Sequence, residues 1–243
     1  MHGADVHPTP HLNEIRVILL DIEGTTTPIE FVHQVLFPYA RAHIHEHLDA
    51  HDIAVLRAEY RAEPADAGLP AWDRADDAES AEAYVYWLMD RDRKSTGLKA
   101  LQGRIWEAGY RAGELKGKGE VYPDVRPALM RWKQAGKAIA IFSSGSVQAQ
   151  RNLFANTTDG DLSPFLSAYF DTTTGPKRAA GSYGKIAAAL RHPPGDVLFI
   201  SDVTAELDAA RQAGMRTTLC VRDGRTGTAA TDHPRIRSFD EVA

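Results

Sequence analysis

The sequence carries one run from which its architecture can be read, Val17-Ile18-Leu19-Leu20-Asp21-Ile22-Glu23-Gly24-Thr25-Thr26. Four apolar residues lead directly into two carboxylates that stand two residues apart. Such a run predicts a buried strand that breaks into a loop, with Asp21 and Glu23 at the carboxyl end of the strand. In open α/β sheets that end faces the crevice where ligands bind, and Gly24 lets the backbone approach a ligand closely. The placement of the two acids therefore indicates chemistry rather than solubility.

The composition is that of an ordinary globular protein. The chain has 243 residues, of which 43% are apolar and 25% are charged. These values fit one domain, or a core that carries a smaller second domain. The net charge of -5 comes without a dense cluster of Lys and Arg, so it gives no reason to expect nucleic acid or an anionic membrane as a partner. We expect a small soluble substrate and a monomeric protein.

Several features predict a cytoplasmic protein. Cys220 is the only cysteine, so no internal disulfide can form, and the chain suits a reducing compartment. Residues 1–13 are polar and rich in His and Pro, without the apolar segment of a secretion signal or the Arg-rich face of a transit peptide. We interpret them as a disordered tail. No window of the sequence approaches the apolar length that a membrane-spanning helix needs.

Short apolar runs alternate with segments of helical periodicity, which predicts a Rossmann-like α/β fold with a parallel sheet. The predicted strands are 16–20, 138–142, 168–170, 197–201 and 217–221, and the predicted helices between them are 125–134, 148–154, 182–190 and 205–213. Gly136 and Gly214 stand where two of these helices should end, which is the usual place for a glycine just past a helix C-terminus.

About a hundred residues separate the first two predicted strands, far more than an ordinary α/β connection, so this stretch must carry its own structure. Apolar residues recur at helical spacing in 31–48, 78–92 and 98–115. We therefore predict a helical cap over residues 30–120, inserted into an α/β core formed by 14–29 and 121–243. An insertion that begins just after the first strand is placed to fold over the carboxyl edge of the sheet and to close the site like a lid.

Polar residues follow the first four predicted strands. In chain order they are Asp21 and Glu23, Ser143 and Ser144, Lys177, and Asp202. In a parallel sheet these strand ends share one edge, which brings together acids for a cation, hydroxyls and amides for an anion, and a lysine for charge neutralisation. The sequence has neither Gly-x-x-x-x-Gly-Lys-Ser/Thr nor Gly-x-Gly-x-x-Gly after a strand. The arrangement predicts a phosphate site without a nucleotide-binding loop.

Each of these residues has a plainer interpretation when it is taken alone. The two acids after the first strand suit a turn, Asp202 suits a helix cap, and Lys177 suits the surface. Only their joint order favours a site. Lys185 is a rival to Lys177, but helical phasing puts it inside a helix, where a solvated lysine is ordinary, so we prefer Lys177. Glu206 either orients Asp202 or the water ligands of a metal, or is an exposed helix carboxylate.

In this order the motifs resemble those of the haloacid dehalogenase-like phosphohydrolases, whose signature is Asp-x-Asp-x-Thr, then Ser or Thr, then Lys, then an acidic strand end. Glu23 stands where an aspartate is usual in that superfamily. The chain looks more closely like the enolase-phosphatase (acireductone synthase) family of methionine salvage, which resembles the glutamate form. The resemblance runs from about Val17 to the C-terminus and is carried by Leu20–Ile29, Leu36–Tyr39, Leu98–Gly103, Phe142–Gln150, Phe170–Thr172 and Ser201–Glu206.

The resemblance implies a fold, a reaction and a cofactor. The implied fold is a parallel-sheet core of the haloacid dehalogenase type with an inserted helical cap. The implied substrate is 2,3-diketo-5-methylthiopentyl-1-phosphate, a phosphorylated diketone that is first enolised and then dephosphorylated to an acireductone. The implied cofactor is Mg²⁺.

Within that reaction, residue types indicate the catalytic and metal-binding roles. Asp21 is predicted to attack phosphorus and form an aspartyl phosphate, which divides one difficult displacement into two easier steps. Asp21 and Asp202 supply the carboxylates that a Mg²⁺ ion takes from protein. The resemblance implies that Glu23 adds a metal ligand through its backbone carbonyl. Its side chain is predicted to act as general acid and then as general base.

Other residues are predicted to bind the substrate. Ser143 stands between a strand and a helix that begins near Ser146, so its hydroxyl and the amides after it are placed to hold phosphoryl oxygens at a helix N-terminus. Ser144 is expected to contact the substrate as well. Lys177 offers a compact positive charge with three donors to the phosphate.

Other functions stay open at the level of sequence. A generic phosphatase of the same superfamily would release phosphate from another small ester without enolisation. A dehalogenase would use the same carboxylate nucleophile and need no Mg²⁺. A noncatalytic domain would retain phosphate affinity and show no turnover.

Overall fold

The computed structural model describes residues 12–64, 68–73, 75–93, 95–222 and 231–242. The chain divides into two compact units. Met1–Phe31 and Lys116–Ala243 form the first, which we call the α/β unit, and Val32–Leu115 form the second, which we call the helical unit. The predicted domains, 14–29 with 121–243 and 30–120, stay a prediction.

The described part of the α/β unit holds one parallel sheet of six strands in the order β3-β2-β1-β4-β5-β6. The strands are β1 (Val17–Leu20), β2 (Ala138–Phe142), β3 (Ala168–Phe170), β4 (Val197–Ser201), β5 (Arg216–Cys220) and β6 (Arg235–Ile236). In β1, Val17 pairs with Ala138 on one side and with Val197 on the other. Since all the pairs are parallel, the carboxyl ends of the strands meet at one edge.

Helices account for most of the remaining described chain. In chain order they are α1 (Ile29–Phe31), α2 (Phe37–Ala42), α3 (Ile44–His47), α4 (Ala50–Ala62), α5 (Asp77–Asp90), α6 (Thr96–Ala112), α7 (Val125–Gln134), α8 (Val147–Ala155), α9 (Ala180–Leu190) and α10 (Thr204–Gln212). A π-helix spans Val32–Leu36, and 3₁₀ turns span Leu12–Glu14, Ser163–Phe165, Pro194–Asp196 and Phe239–Glu241. The segments between Val32 and Leu115 belong to the helical unit and the others to the α/β unit.

The central strands are almost entirely apolar, with Ser201 at the end of β4 as the exception, because both of their faces are covered, as is usual for parallel sheets. On one face, Val17 and Leu19 of β1 share a buried cluster with Tyr183 of α9 and Leu207 of α10. On the other face Ile18 is equally inaccessible. Burial on both sides makes β1 a rigid support for the loop that follows it.

Two helices of the α/β unit end at the predicted glycines. Gly136 follows α7 and Gly214 follows α10, with φ of 73° and 90° respectively. A left-handed backbone at this position costs glycine little, and it turns the chain into the next strand. The predicted ends of α7 and α10 are therefore confirmed to within a residue.

The helical unit has its own apolar core. Leu56 of α4, Tyr84 and Leu88 of α5, and Leu101 and Ile105 of α6 are buried in one cluster. The N-termini of these helices are capped by side chains: Asp49 forms a capping box with Asp52, Asp76 accepts from Glu79 N–H, and Ser95 accepts from Leu98 N–H. Caps of this kind satisfy backbone donors that a helix leaves unpaired.

These observations confirm the predicted α/β fold, with a parallel sheet and a helical insertion between β1 and β2. Some details of the prediction were wrong. Helix α4 and strand β6 were not predicted, and the predicted helix 31–48 is divided among α1, the π-helix, α2 and α3. The predicted disordered tail 1–13 is too long, because Leu12 and Asn13 lie in a 3₁₀ turn and the Leu12 carbonyl accepts from Lys137 Nζ at 2.6 Å. Residues 1–11 lie outside the described residues.

Within the described residues, no helix combines the length and the apolar character that crossing a membrane requires.

Candidate active site

The register of the sheet places Asp21 beside Ser201. Leu20 of β1 pairs with Ile200 of β4, and the Asp21 N–H donates to the Ile200 carbonyl at 3.0 Å. Because residues paired in a parallel sheet point to the same face, the next residues along both strands bring their side chains together. The Ser201 hydroxyl lies 3.2 Å from Asp21 Oδ2. The Asp21 side chain is only 3% exposed, so this carboxylate is buried at the carboxyl edge of the sheet.

Lys177 reaches Asp21 from the turn that follows β3. Its Nζ lies 2.6 Å from Asp21 Oδ1 and 2.7 Å from Glu206 Oε2, and 5.8 Å from the centre of the Phe142 ring. Burial alone would lower the pKa of Lys177, but the two carboxylates outweigh it and raise that pKa. The lysine is therefore a fixed positive charge between two acids. By contrast, Lys185 is exposed and donates to the Thr174 carbonyl at 3.2 Å.

The turn that carries Lys177 is fixed by the first residues of α9. Ser182 Oγ donates to the Pro176 carbonyl at 2.8 Å, and Tyr183 Oη donates to the Lys177 carbonyl at 2.6 Å. Gly175 has φ of 147°, and a Cβ added there would lie 2.3 Å from Ser182 Oγ. A side chain at residue 175 would therefore displace the serine that holds the turn.

Glu206, at the start of α10, is buried in the same cluster. Its carboxylate contacts Lys177 and lies 3.3 Å from Ser201 Oγ. Burial, and after it the charge of Asp21, raise the pKa of Glu206. Of the two interpretations that the sequence left open, the exposed helix carboxylate is wrong.

Asp202 follows β4 and lies against the loop that follows β1. Gly24 has φ of 74°, and a Cβ added there would lie 2.3 Å from Asp202 Oδ2. Among the described residues, Asp202 Oδ1 is buried and has no hydrogen-bond partner. Burial, and after it the charge of Asp21, raise the pKa of Asp202 to about 7. The charges of Asp202 and Asp21 thus repel each other at short range, and one carboxylate oxygen of Asp202 lacks a hydrogen bond among the described residues.

The charges of this cluster fit a bound cation. Three carboxylates, those of Asp21, Asp202 and Glu206, share the single ammonium of Lys177. A buried acid without a donor costs free energy, and a hard divalent cation removes that cost by binding carboxylate oxygens. In the described chain, no three His, Cys, Asp or Glu side chains are grouped as a metal site. A cation here must take oxygens from the backbone, the substrate or water besides two carboxylates, which Mg²⁺ accepts.

Glu23 lies in a tight loop between Asp21 and α1. It is half-buried, and it forms an isolated parallel bridge with Thr27. The Gly24 N–H donates to the Thr27 carbonyl at 2.8 Å, and Thr26 Oγ1 contacts the Asp21 carbonyl at 3.2 Å. These bonds fix the main chain of the loop on both sides of the glutamate.

An ion pair at the same edge of the sheet holds the far side of that loop. Arg222, just after β5, contacts Asp124 through Nη1, which lies 2.8 Å from both carboxylate oxygens. The same guanidinium donates to the Thr25 carbonyl at 3.0 and 3.1 Å. It lies between the rings of Tyr122 and Phe239, 4.3 and 4.7 Å from their centres. We call this group the Arg222 clamp.

The two predicted substrate-binding serines differ in environment. Ser143, at the end of β2, is buried, and its Oγ accepts from the Gly145 N–H at 3.2 Å. Ser144 is exposed. The Ser143–Ser146 loop is held by Gln150 of α8, whose buried amide donates to the carbonyls of Gly145 and Phe170 at 2.8 Å.

The structure therefore brings Asp21, Lys177 and Asp202 into one cluster and places Ser143, Ser144 and Glu23 in loops at the same strand edge. Sequence reasoning missed Ser201, the burial of Glu206, and Arg222. A signal existed for each. Ser201 is the last residue of its strand, Glu206 lies one helical turn after Asp202, and Arg222 follows the fifth strand.

Comparisons with known proteins agree on one family. A family model for haloacid dehalogenase-like hydrolases matches residues 15–214. The enolase-phosphatase E1 of Synechococcus elongatus is 55% identical over 236 residues, which cover 94% of this chain and 98% of that protein. The enolase-phosphatase E1 of Sorangium cellulosum is 48% identical over 229 residues, which cover 94% of this chain and 97% of that protein.

A solved structure agrees with these sequence relatives. The crystal structure of the UTR4 protein from Saccharomyces cerevisiae superposes with a TM-score of 0.72 and 30% sequence identity, and the match covers 93% of this chain and 99% of that chain. The chain belongs to the haloacid dehalogenase-like hydrolases, and its identity to these relatives places it in the enolase-phosphatase family.

Proposed function

We propose that this protein is a Mg²⁺-dependent enolase-phosphatase that converts 2,3-diketo-5-methylthiopentyl-1-phosphate to an acireductone in methionine salvage. The observation that carries the proposal is the buried cluster at the strand edge, where Asp21 lies 2.6 Å from Lys177 and beside two further acids. Its 55% identity to an enolase-phosphatase E1 over nearly the whole chain supports the choice of substrate.

Asp21 is the proposed nucleophile. A carboxylate oxygen of Asp21 forms a bond to phosphorus while the bond from phosphorus to the substrate oxygen breaks, and water then cleaves the aspartyl phosphate. The side chain is buried and held by donors on both oxygens. That support fixes the direction of attack, which is worth several orders of magnitude in rate for a well-oriented pair.

Glu23 is the proposed general acid and base. Its loop leaves the same strand as Asp21, so the two carboxylates approach the phosphate from neighbouring positions of one rigid segment. The glutamate protonates the departing oxygen and later removes a proton from the attacking water, which contributes roughly 10²–10⁴ in rate. The bonds that Thr26 and Gly24 make within the loop support this position.

Lys177 and the serine loop are proposed to bind the phosphoryl group. Lys177 carries its charge at all physiological pH values, because its neighbouring acids raise its pKa. Ser143 presents its hydroxyl at the end of β2, and Ser144 is exposed at the start of the loop. Such donors act on the charge that develops in the transition state.

The Mg²⁺ ion would be held by Asp21, Asp202 and the main-chain carbonyl of Glu23. The buried Asp202 Oδ1, which has no partner among the described residues, supports this choice. When bound, the ion supplies positive charge that offsets the repulsion between the Asp21 carboxylate and the phosphate. Residues 30–120 are proposed to act as the cap that excludes water from the reaction.

The proposal is tested by incubating the protein with the diketone phosphate and Mg²⁺ while following enolisation by absorbance and phosphate release by a colour reaction. We expect an enolised species before phosphate appears, and loss of both signals in EDTA. Phosphate without enolisation would indicate a generic phosphatase, and full activity in EDTA would contradict the Mg²⁺ requirement. Release of halide from a haloacid in EDTA would favour dehalogenation. The absence of turnover would leave only a phosphate-binding domain.

We also propose a cytoplasmic location and a monomeric state. The single cysteine and the mild negative charge support them. Cell fractionation, and light scattering of the purified protein at several concentrations, test these two points.

A further inference from the structure

The Ser201 hydroxyl stands between the two carboxylates that flank Lys177. Its Oγ lies 3.2 Å from Asp21 Oδ2 and 3.3 Å from Glu206 Oε2. It also accepts a hydrogen bond from the Val203 N–H at 3.1 Å. Ser201 is completely buried, so water does not compete for these contacts.

A serine hydroxyl carries one proton, and here two carboxylates lie within reach to accept a hydrogen bond from it. The Val203 N–H occupies one lone pair of Oγ, and the O–H points either to Asp21 or to Glu206. Lys177 has three N–H donors and reaches both acids at once, at 2.6 and 2.7 Å. Lys177 therefore donates to both acids at the same time, whereas the Ser201 hydroxyl donates to only one of them at a time.

The choice matters because the charge on Asp21 changes during the reaction. In the free enzyme, the bond from Ser201 to Oδ2 and the bond from Lys177 to Oδ1 fix the plane of the Asp21 carboxylate. Once Asp21 carries the phosphoryl group it has lost its negative charge, and Glu206 is then the stronger acceptor. Rotation of the hydroxyl keeps the buried donor paired, which avoids the cost of an unsatisfied polar group.

We infer that Ser201 is a positioning residue for Asp21, whose hydroxyl proton aligns the carboxylate for attack and turns to Glu206 when the phosphoryl group is on Asp21. This inference rests on the proposed function. It predicts that removing the hydroxyl slows the formation of the aspartyl phosphate more than its hydrolysis. It also predicts little change in KM, because Ser201 acts through Asp21 and does not touch the substrate.

The test compares S201A, S201C and S201T with the wild type in full-length protein with Mg²⁺. S201C preserves the approximate side-chain volume and replaces the hydroxyl with a weak thiol donor, whereas S201T retains the hydroxyl. Rapid-quench single turnovers with ³²P-labelled diketone phosphate, and with p-nitrophenyl phosphate as a general ester, separate the two chemical steps. Thermal unfolding reports whether each variant is folded.

We expect S201A and S201C to slow aspartyl phosphate formation about 10-fold, the size of one lost hydrogen bond to a charged group. Hydrolysis and KM should stay within about twofold, and S201T should restore formation to within about threefold of the wild type. Equal slowing of both steps, or S201T as slow as S201A, would overturn the positioning role. If the wild type turns over p-nitrophenyl phosphate but not the diketone phosphate, the proposed substrate is wrong. The comparison of the Ser201 variants on p-nitrophenyl phosphate then still tests the positioning role.

Discussion

Two clusters of buried charge lie at the same edge of the sheet, and they differ in how completely their polar groups are paired. In the Arg222 clamp, every group of the Asp124 carboxylate and the guanidinium has a partner, and the side chains are only 9% and 8% exposed. In the Asp21 cluster, three acids share one lysine, and Asp202 Oδ1 has no partner among the described residues.

The two clusters have correspondingly different pKa shifts. Burial would raise the pKa of Asp124, but hydrogen bonds from Arg222 and the Phe239 N–H outweigh it, and the pKa is lowered. For Asp202 burial dominates, Asp21 adds to it, and the pKa is raised to about 7. The completely paired polar groups of the Arg222 clamp are those of a structural ion pair, whereas the incompletely paired acids of the Asp21 cluster make it the candidate for a ligand site.

The largest expected effect is on catalysis by the Asp21 cluster. D21N should lower kcat on the order of 10⁴-fold, because the amide does not attack phosphorus. Its far-UV circular dichroism should match that of the wild type, which shows that the fold is retained. Turnover by D21N at the wild-type rate would show that Asp21 is not the nucleophile.

A second prediction concerns stability and addresses the Arg222 clamp. D124A should lower the free energy of unfolding by about 3–5 kcal/mol, because it leaves a buried guanidinium without its anion. The matched control is D240A, which removes an exposed ion pair with Arg131 at 3.0 Å and should cost at most about 1 kcal/mol. Urea unfolding measures both. Equal effects of the two substitutions would remove the distinction between a buried and an exposed pair.

A third prediction separates the two candidate lysines. K177M should lower kcat by about 10²–10³-fold, the usual effect of losing one donor to a developing negative charge. K185M removes an exposed lysine eight positions later on α9 and should leave kcat within about twofold. Steady-state kinetics on the diketone phosphate measure both variants. A larger loss in K185M would reverse the assignment.

The smallest expected effect is a pH dependence of stability in metal-free protein. The folded pKa of Asp202 is about 7 and its ordinary value is 3.8, so between these pH values the folded state binds more protons than the unfolded state. Stability from this group therefore rises as the pH falls from about 7 towards 4. In EDTA, D202N should melt a few degrees above the wild type at pH 8, with a difference that shrinks at pH 5. The same difference in melting temperature at pH 8 and pH 5 would contradict the raised pKa of Asp202.

The parts of the fold that were predictable are those where burial and local sequence agree. β2, β3 and β4 have their predicted bounds, because β2 and β3 are uninterrupted apolar runs and β4 is apolar up to its last residue, Ser201. α4 was missed although Asp49 and Asp52 form its capping box, since the helix itself is polar and weakly periodic. β6 was missed because Arg235–Ile236 is too short to show an alternating pattern. This segment is recognisable as a strand only from its pairing with β5.

The site was predictable to the extent that it follows strand ends. The sequence predicted that Asp21, Lys177 and Asp202 lie together because they follow strand ends, and the structure brings them into one cluster. The burial of Glu206 was not predictable, since a carboxylate in the first turn of a helix is equally compatible with solvent. Its burial depends on the position of Lys177, which the sequence does not give. The role of Ser201 depends on register, because its partner Asp21 is brought to it by the pairing of Leu20 with Ile200.

The position of β1 in the sheet order also bears on how the molecule is made. This strand is synthesised early, yet Val17 finds its neighbours only at Ala138 and Val197. As the chain emerges from the ribosome N-terminus first, the segment that carries Asp21 stays without a pairing partner until residues 138–142 have been made. Closing such long loops is slow. The pairing of β1 is therefore completed late, and a nascent chain stalled before residue 138 would expose an unpaired apolar strand to chaperones and proteases, whereas one stalled between residues 142 and 197 would leave only one edge of that strand paired.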